Sequence, residues 1–330
     1  MGQREDDPTP PGSSGTAISV VIPAFKSSET LAELVSRLRT VLEQTAPAFE
    51  SVIVNDGSND ATWSTIVDLA HQVPEVRGID FMRNYGQHNA VLCGIRSSRH
   101  PITITIDDDL QHPPEEIPKL LARLEEGFDV VYGTPEVEQH GLLRNLASRF
   151  TKLALRTSIG VKTAQQVSAF RAFRTELRDA FDRYRAPFVS IDVLLTWASK
   201  RFGSVTVDHR ERAIGESNYT VGRLVAHALN MITGYSTLPL QLASWVGFGF
   251  TVFGMLVLAY VLVRYVMAGG SVPGFPFLAS IIVIFSGAQL FALGIIGEYL
   301  ARMHFRLMDR PPYVVRSVAG TEEGDGTHQA

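Results

Sequence analysis

Along residues 16–135, short apolar runs alternate with segments whose apolar positions recur every three to four residues. The runs at 17–23, 51–54, 77–81, 102–106 and 129–132 predict buried strands. Between them, 29–44 carries Leu31, Leu34, Leu38, Val41 and Leu42 at helical spacing. Helices are likewise predicted over 61–73, 89–99 and 114–126, the last closed by Gly127. Strand–helix alternation at this period implies an α/β fold with a mostly parallel sheet covered on both faces. No Gly-x-Gly-x-x-Gly follows the first strand, which argues against a dinucleotide-binding site.

The pattern changes after residue 237. No charge occurs over 238–263, nor over 266–297, where Gly270 to Pro276 marks a break. Each side offers about 20 apolar residues, the length a helix needs to cross the ~30 Å of a bilayer. Two transmembrane helices are therefore expected near 240–265 and 275–296. The apolar surplus behind the 45% hydrophobic content of the 330 residues sits in this C-terminal part. Arg210, Arg212 and Arg223 precede the first span, and Arg302, Arg306 and Arg310 follow the second. The connecting loop has no Lys or Arg, so both flanks are expected on the cytoplasmic side of the inner membrane. The Gly/Pro/Ser/Asp-rich start has no apolar core and does not read as a signal peptide. Residues 1–15 and about 317–330 have the composition of disordered tails. The expected organisation is a tail over 1–15, a catalytic domain over 16–220, an interfacial helix over 221–237, a membrane hairpin over 238–300 and a cytoplasmic tail over 301–330.

The net charge of −4 gives no footprint for nucleic acid. Residues 139–175 contain seven Lys or Arg and no acid, with Leu142, Leu143, Leu146, Phe150 and Leu153 at helical spacing. This pattern fits a helix on an anionic bilayer surface equally as well as one packed on the sheet. The single cysteine, Cys93, permits no internal disulfide and fits a reducing compartment.

The chemistry is concentrated where the strand at 102–106 runs into Asp107-Asp108-Asp109-Leu110-Gln111-His112-Pro113-Pro114-Glu115. Open α/β sheets bind ligands beyond the carboxyl ends of their strands. Asp107 and Asp109 alternate, so both face one side and offer hard oxygen donors suited to Mg²⁺ or Mn²⁺. A loop whose acids cap the following helix is the plain alternative. Asp192 reads as a helix cap rather than a group orienting a sugar or acceptor. His112 reads as a polar residue at a helix start. His88 and Asn89 read as a helix cap or as phosphate contacts.

Several segments resemble one family. Ser19-Val20-Val21-Ile22-Pro23-Ala24-Phe25, with Glu29 beyond it, is similar to the opening strand of family 2 glycosyltransferases. So is Val54-Asn55-Asp56-Gly57-Ser58-Asn59-Asp60-Ala61-Thr62. Arg83-Asn84-Tyr85-Gly86-Gln87-His88-Asn89-Ala90, the Asp107–Glu115 segment and Arg212-Ala213-Ile214-Gly215-Glu216-Ser217-Asn218-Tyr219 resemble its polyprenyl-phosphate branch, as does Ser236-Thr237-Leu238-Pro239-Leu240. That branch includes the dolichol-phosphate mannose synthases and their bacterial multi-pass relatives. The resemblance spans roughly 17–310.

It implies a GT-A (Rossmann-like) catalytic domain, followed by juxtamembrane amphipathic helices and the two transmembrane helices. It also implies a nucleotide-sugar donor, a polyprenyl phosphate acceptor, Mg²⁺ or Mn²⁺ and a homo-oligomer at the membrane. By the same resemblance Asp107, Asp109 and Gln111 hold the metal. Pro23, Ala24, Glu29, Asp56, Asp107 and Asp108 bind the nucleotide sugar, and Arg212, Ser217 and Tyr219 meet the acceptor phosphate. Asp107, Asp109 and Arg212 carry catalysis, by inverting transfer.

The chain departs from the family pattern at four places. Asn55 stands for the first of two acids, and Asn218 for a Lys. Thr134-Pro135-Glu136 replaces Arg residues, and no Asp precedes Phe170-Arg171. These changes bear on donor identity. They leave two alternatives, a transferase with another glycan or lipid acceptor and a catalytically impaired nucleotide-binding scaffold. A phosphohydrolase with an aspartate nucleophile needs Thr or Val where Gln111 stands, which argues against that reading.

Overall fold

The computed structural model of the chain describes residues 15–135, 167–185, 189–209, 238–267, 274–308 and 310–320. In chain order these form β1 (Ile18–Ala24), α1 (Leu31–Thr45), β2 (Phe49–Asn55), α2 (Thr62–Gln72), β3 (Val76–Phe81), α3 (Gln87–Ser97) and β4 (Ile102–Thr105). Then follow a 3₁₀ turn (Pro114–Glu116), α4 (Ile117–Glu125), β5 (Val130–Pro135), β6 (Arg171–Arg174), a second 3₁₀ turn (Thr175–Ala180), α5 (Ile191–Ala198) and β7 (Phe202–Val207). The long helices α6 (Leu238–Met267) and α7 (Phe275–Leu307) precede β8 (Val315–Ala319).

All eight strands lie in one sheet, ordered β7-β5-β6-β4-β1-β2-β3-β8. Its centre is parallel: β1 pairs with β2 and β4, and β2 with β3. β6 and β8 enter antiparallel. Successive side chains of a strand point to opposite faces, and β1 shows why it reads as an unbroken apolar run. Val20 and Ile22 join the core beneath α1, α2 and α4, while Val21 joins the core beneath α3 and α5. α1 turns Leu31, Leu34, Val35, Leu38 and Leu42 inward, one apolar stripe at 3.6-residue spacing. Cys93 is buried, as a small core residue.

Three expectations need correcting. Residues from about 317 on were expected as a disordered tail, yet Val315–Ala319 is a strand against β3. The open edge of β3 supplies unpaired backbone groups, and a β-branched segment returning from α7 satisfies them. Asp192 does not cap a helix: Ser190 holds the N-cap position of α5, and the Asp192 carboxylate points inward to Arg171 and the Tyr132 hydroxyl. The helix expected to start at Pro114 opens as a 3₁₀ turn and becomes α-helical only at Ile117. Up to α6, the other expected element ends differ by at most three residues. The amphipathic segments expected near 142–153 and 221–237 lie outside the described residues.

α6 and α7 are long and apolar enough to cross a membrane, over Leu240–Met267 (mean hydropathy 2.3) and Ile284–Ala301 (1.4). They pack on each other through Phe250 and Phe285, ring centroids 5.7 Å apart. Gly254 leaves room for this contact, since a Cβ there would sit 2.8 Å from the Phe285 ring. α7 continues beyond the expected end at 296, through Arg302 and Arg306 to Leu307.

Candidate active site

The carboxyl ends of β1, β2 and β4 meet at one edge of the parallel core. Register pairs Pro23 with Val54 and Ala24 with Asn55, and the Asp56 N–H donates to the Ala24 carbonyl at 2.9 Å. Beyond β4, the Ile106 N–H donates to Val21, which brings Asp107, Asp108 and Asp109 beside the loop after β1. Pro23, Ala24, Asp56 and the three aspartates therefore share one rim. Glu29 is exposed on the approach to α1. Arg212, Ser217 and Tyr219 lie outside the described residues.

Each aspartate of the turn has a different hydrogen-bond partner. The Gln87 amide, from the first turn of α3, donates to Asp107 at 2.7 Å. Asp108 accepts the Ser27 hydroxyl and the Phe25 N–H (3.3 Å), so it clasps the β1 loop. Asp109 accepts the Gln111 N–H at 3.2 Å. Leu110 takes a left-handed conformation, φ 60°, with its side chain in the core. That conformation is costly for a residue with a Cβ. The buried Leu110 thus anchors the turn that orients the acids.

The site is overloaded with negative charge. Burial, then Asp109 and Asp108, push the Asp107 carboxyl up to about 7, against the pull of Arg171 and Gln87. Burial also raises Asp108. The Asp107 and Asp109 carboxylates at this rim, with Gln111 following them in the turn, are hard-oxygen donors of the kind that suits a divalent cation. Among the described residues no three His, Cys, Asp or Glu side chains converge on one point. His112 stacks on Phe170 at 5.3 Å and lies 5.0 Å from His209. Burial and His209 lower it to about 4, so the imidazole is neutral.

Asp56 is the second focus. Its two oxygens accept the N–H groups of Tyr85 (2.6 Å) and Gly86 (2.9 Å), while burial raises it to about 6. Gly57 follows at φ +62°, and a Cβ there would fall 2.2 Å from the Arg83 backbone carbonyl carbon. Only glycine lets the Asp56 loop sit against residues 83–86.

The neighbouring Asn55 also has a structural reason. Its amide donates to Asp80 at 2.7 Å, both residues being buried. An aspartate at 55 would set two carboxylates at hydrogen-bond distance. Asn55→Asp is expected to cost about 1–3 kcal/mol at pH 7. The pair would hold a shared proton, so its folded pKa is raised. Its stability is therefore greatest below the ordinary carboxylate range and is lost as pH rises through the folded value. Denaturant melts at pH 5 and pH 7.5 check this, and an equal loss at both would contradict it.

Gln87, Ser27 and Arg171 were not singled out as site residues. Gln87 stands within a segment that already carried the family resemblance, which was the available signal. Arg171 is buried beneath the site in β6, paired with Asp192, and its Nε donates to Thr105 Oγ1 at 3.0 Å.

An open, mostly parallel α/β sheet with carboxylates gathered beyond β4 and β2 is a GT-A-like fold. A family model described as glycosyl transferase family 2 matches residues 19–184, and the chain belongs to that family. It is 34% identical to an undecaprenyl-phosphate 4-deoxy-4-formamido-L-arabinose transferase from Pseudomonas fluorescens, over 91% of this chain and 89% of the relative. Proteins of the same name from Shewanella sediminis (34%, covering 94% of each) and Salmonella paratyphi B (32%, covering 95% and 97%) are similar along nearly their whole length. Among solved structures, the fold matches glucosyl-3-phosphoglycerate synthase from Mycobacterium tuberculosis in complex with Mn²⁺, uridine-diphosphate-glucose and phosphoglyceric acid. The TM-score is 0.51 at 20% identity, covering 67% of this chain and 78% of that one.

Proposed function

We propose that this glycosyltransferase moves a sugar from a nucleotide diphosphate to a polyprenyl phosphate, inverting the anomeric carbon. The observation that carries the reading is the Asp107–Gln111 turn beside the Asp56 loop, on a chain that also bears two span-length apolar helices. Relatives over 30% identical along nine-tenths of the chain, named for transfer to undecaprenyl phosphate, support it.

Pro23, Ala24, Glu29, Asp56 and Asp108 frame the nucleoside and its phosphates. Asp107, Asp109 and Gln111 hold Mg²⁺ or Mn²⁺. These residues would hold the ion, and its chemistry when bound would be Lewis-acid neutralisation of the departing diphosphate. Arg212, with Ser217 and Tyr219, meets the acceptor phosphate through charge-assisted hydrogen bonds. A phosphate monoester has its second pKa near ~6, so the attacking oxygen is already largely ionised. No strong general base is required, and the side chains contribute alignment and charge. The oxygen–anomeric carbon bond forms as the bond to the diphosphate breaks.

The cation-free segment between the helices supports an inner-membrane protein with the catalytic domain and both termini cytoplasmic. We assign it a homo-oligomeric state on the family resemblance. The relatives' name places a 4-deoxy-4-formamido-L-arabinose donor first among the sugars to test.

Full-length protein in detergent, given Mn²⁺ or Mg²⁺, undecaprenyl phosphate and a panel of nucleotide sugars, is expected to form a lipid-linked sugar detectable by mass. Chelation should stop the reaction and added Mn²⁺ restore it. Hydrolysis of a donor with no lipid product from any of them would defeat the reading.

A further inference from the structure

The segment that returns from the membrane hairpin does more than cover a sheet edge. Residues 313–319 grip the loop after β3 from outside. The Met82 N–H donates to the Val314 carbonyl at 3.0 Å, and Arg316 Nη2 donates to the Met82 carbonyl at 2.8 Å. The same guanidinium lies 3.4 Å from the Asp80 carboxylate. Asp80 accepts the Asn55 amide, and Asn55 accepts the Ser58 N–H at 3.3 Å. The chain of contacts from Arg316 therefore ends inside the Asp56-Gly57-Ser58 loop.

A second path runs in parallel. The Tyr313 ring stacks on Phe81 (5.0 Å, 10°), and Phe81 meets Tyr85 edge-on (5.6 Å, 88°). The Tyr85 N–H is one of the two donors to Asp56. Residues 82–86 are thus held between β8 on one side and the Asp56 loop on the other, with the contact at Gly57 leaving no slack.

Burial does not explain Arg316, because its side chain is 54% exposed while its partner Asp80 is 2% exposed. A sheet edge alone needs backbone pairing, and a half-exposed arginine reaching a buried carboxylate is additional to that. We propose that β8 is a working part of the nucleotide pocket, with Arg316 and Tyr313 as positioning residues that set the Asp56 loop for the nucleoside diphosphate. The inference rests on the reading of Asp56 as the nucleoside carboxylate. It ties the end of the membrane hairpin mechanically to donor binding.

The test is titration calorimetry on the full-length protein in detergent, with uridine diphosphate and guanosine diphosphate as probes in Mn²⁺. Arg316→Ala is expected to weaken the diphosphate that binds by about tenfold, which is ~1.4 kcal/mol. Arg316→Lys should recover part of that, because an ammonium keeps the charge beside Asp80 while losing the fork. Tyr313→Leu should weaken binding as well, and it decides the matter if Arg316→Ala fails to fold. In transfer assays the donor KM should rise while the polyprenyl phosphate KM stays within twofold. Lowered melting temperatures with diphosphate affinity within twofold of wild type would overturn the proposal and leave β8 a plain edge strand. Asp56→Asn separates the two levels of the argument. If it weakens binding and the β8 variants do not, only this inference falls. If it too leaves binding unchanged, the pocket assignment falls and the inference with it.

Discussion

Asp109→Ala is expected to lower transfer by about 10³-fold, the several kcal/mol contributed by a Lewis acid at a departing diphosphate, with a smaller loss of fold. The contrast within the Asp107–Asp109 turn makes this specific. Asp108 is a clasp to Phe25 and Ser27, so its removal loosens the β1 loop and mixes folding with activity. Asp107 is tied to Gln87 on α3. Asp109 accepts a hydrogen bond from a backbone N–H two residues away, and losing so local a bond costs about 1 kcal/mol. Lipid-linked product by mass spectrometry and a thermal melt on the same preparation check both halves. Retained transfer would remove Asp109 from the metal site.

Arg171→Ala is expected to be the most damaging single change to the fold, about 3–5 kcal/mol. Arg171 is buried in β6, ion-paired to Asp192, which also accepts the Tyr132 hydroxyl at 3.1 Å. Truncating the arginine leaves a buried carboxylate with one neutral donor. The double variant Arg171→Met, Asp192→Leu removes both charges and should recover most of the loss, since apolar replacements of buried ion pairs are often neutral or better. Its transfer activity should nonetheless stay low. Arg171 is a cation that offsets the charge at Asp107, and its Nε reaches Thr105 at the end of β4. Melting temperature and transfer rate measured on the single and double variants separate the roles. Full activity in a stable double variant would reduce Arg171 to packing.

How much of this was legible beforehand depended on how local the signal was. β1, β2 and β4 announce themselves because both their faces are buried, so their positions are apolar or small apart from Glu50 and Asn55 in β2. The Asp107–Gln111 turn is legible for the same reason, as an abrupt change from β-branched residues to carboxylates. β6 escapes notice because its central position in the sheet is disguised by two arginines, of which Arg171 is neutralised by a residue 21 positions away. β8 escapes because a five-residue edge strand with alternating exposure carries too few apolar positions to stand out from a polar tail.

The sequence by itself determined the α/β class, the two span-length apolar helices, the carboxylate turn and the family. Each of these follows from neighbours along the chain: periodicity, run length, or a motif a few residues long. The tertiary structure alone decided which aspartate clasps a loop and which remains with Gln111. It also decided that Asp192 neutralises Arg171, that Asn55 answers Asp80, and that the returning strand braces the Asp56 loop. Those assignments depend on which strands lie side by side. Charge and hydrogen-bond partners are chosen by distance in space, and the order β7-β5-β6-β4-β1-β2-β3-β8 brings together residues that the chain keeps far apart.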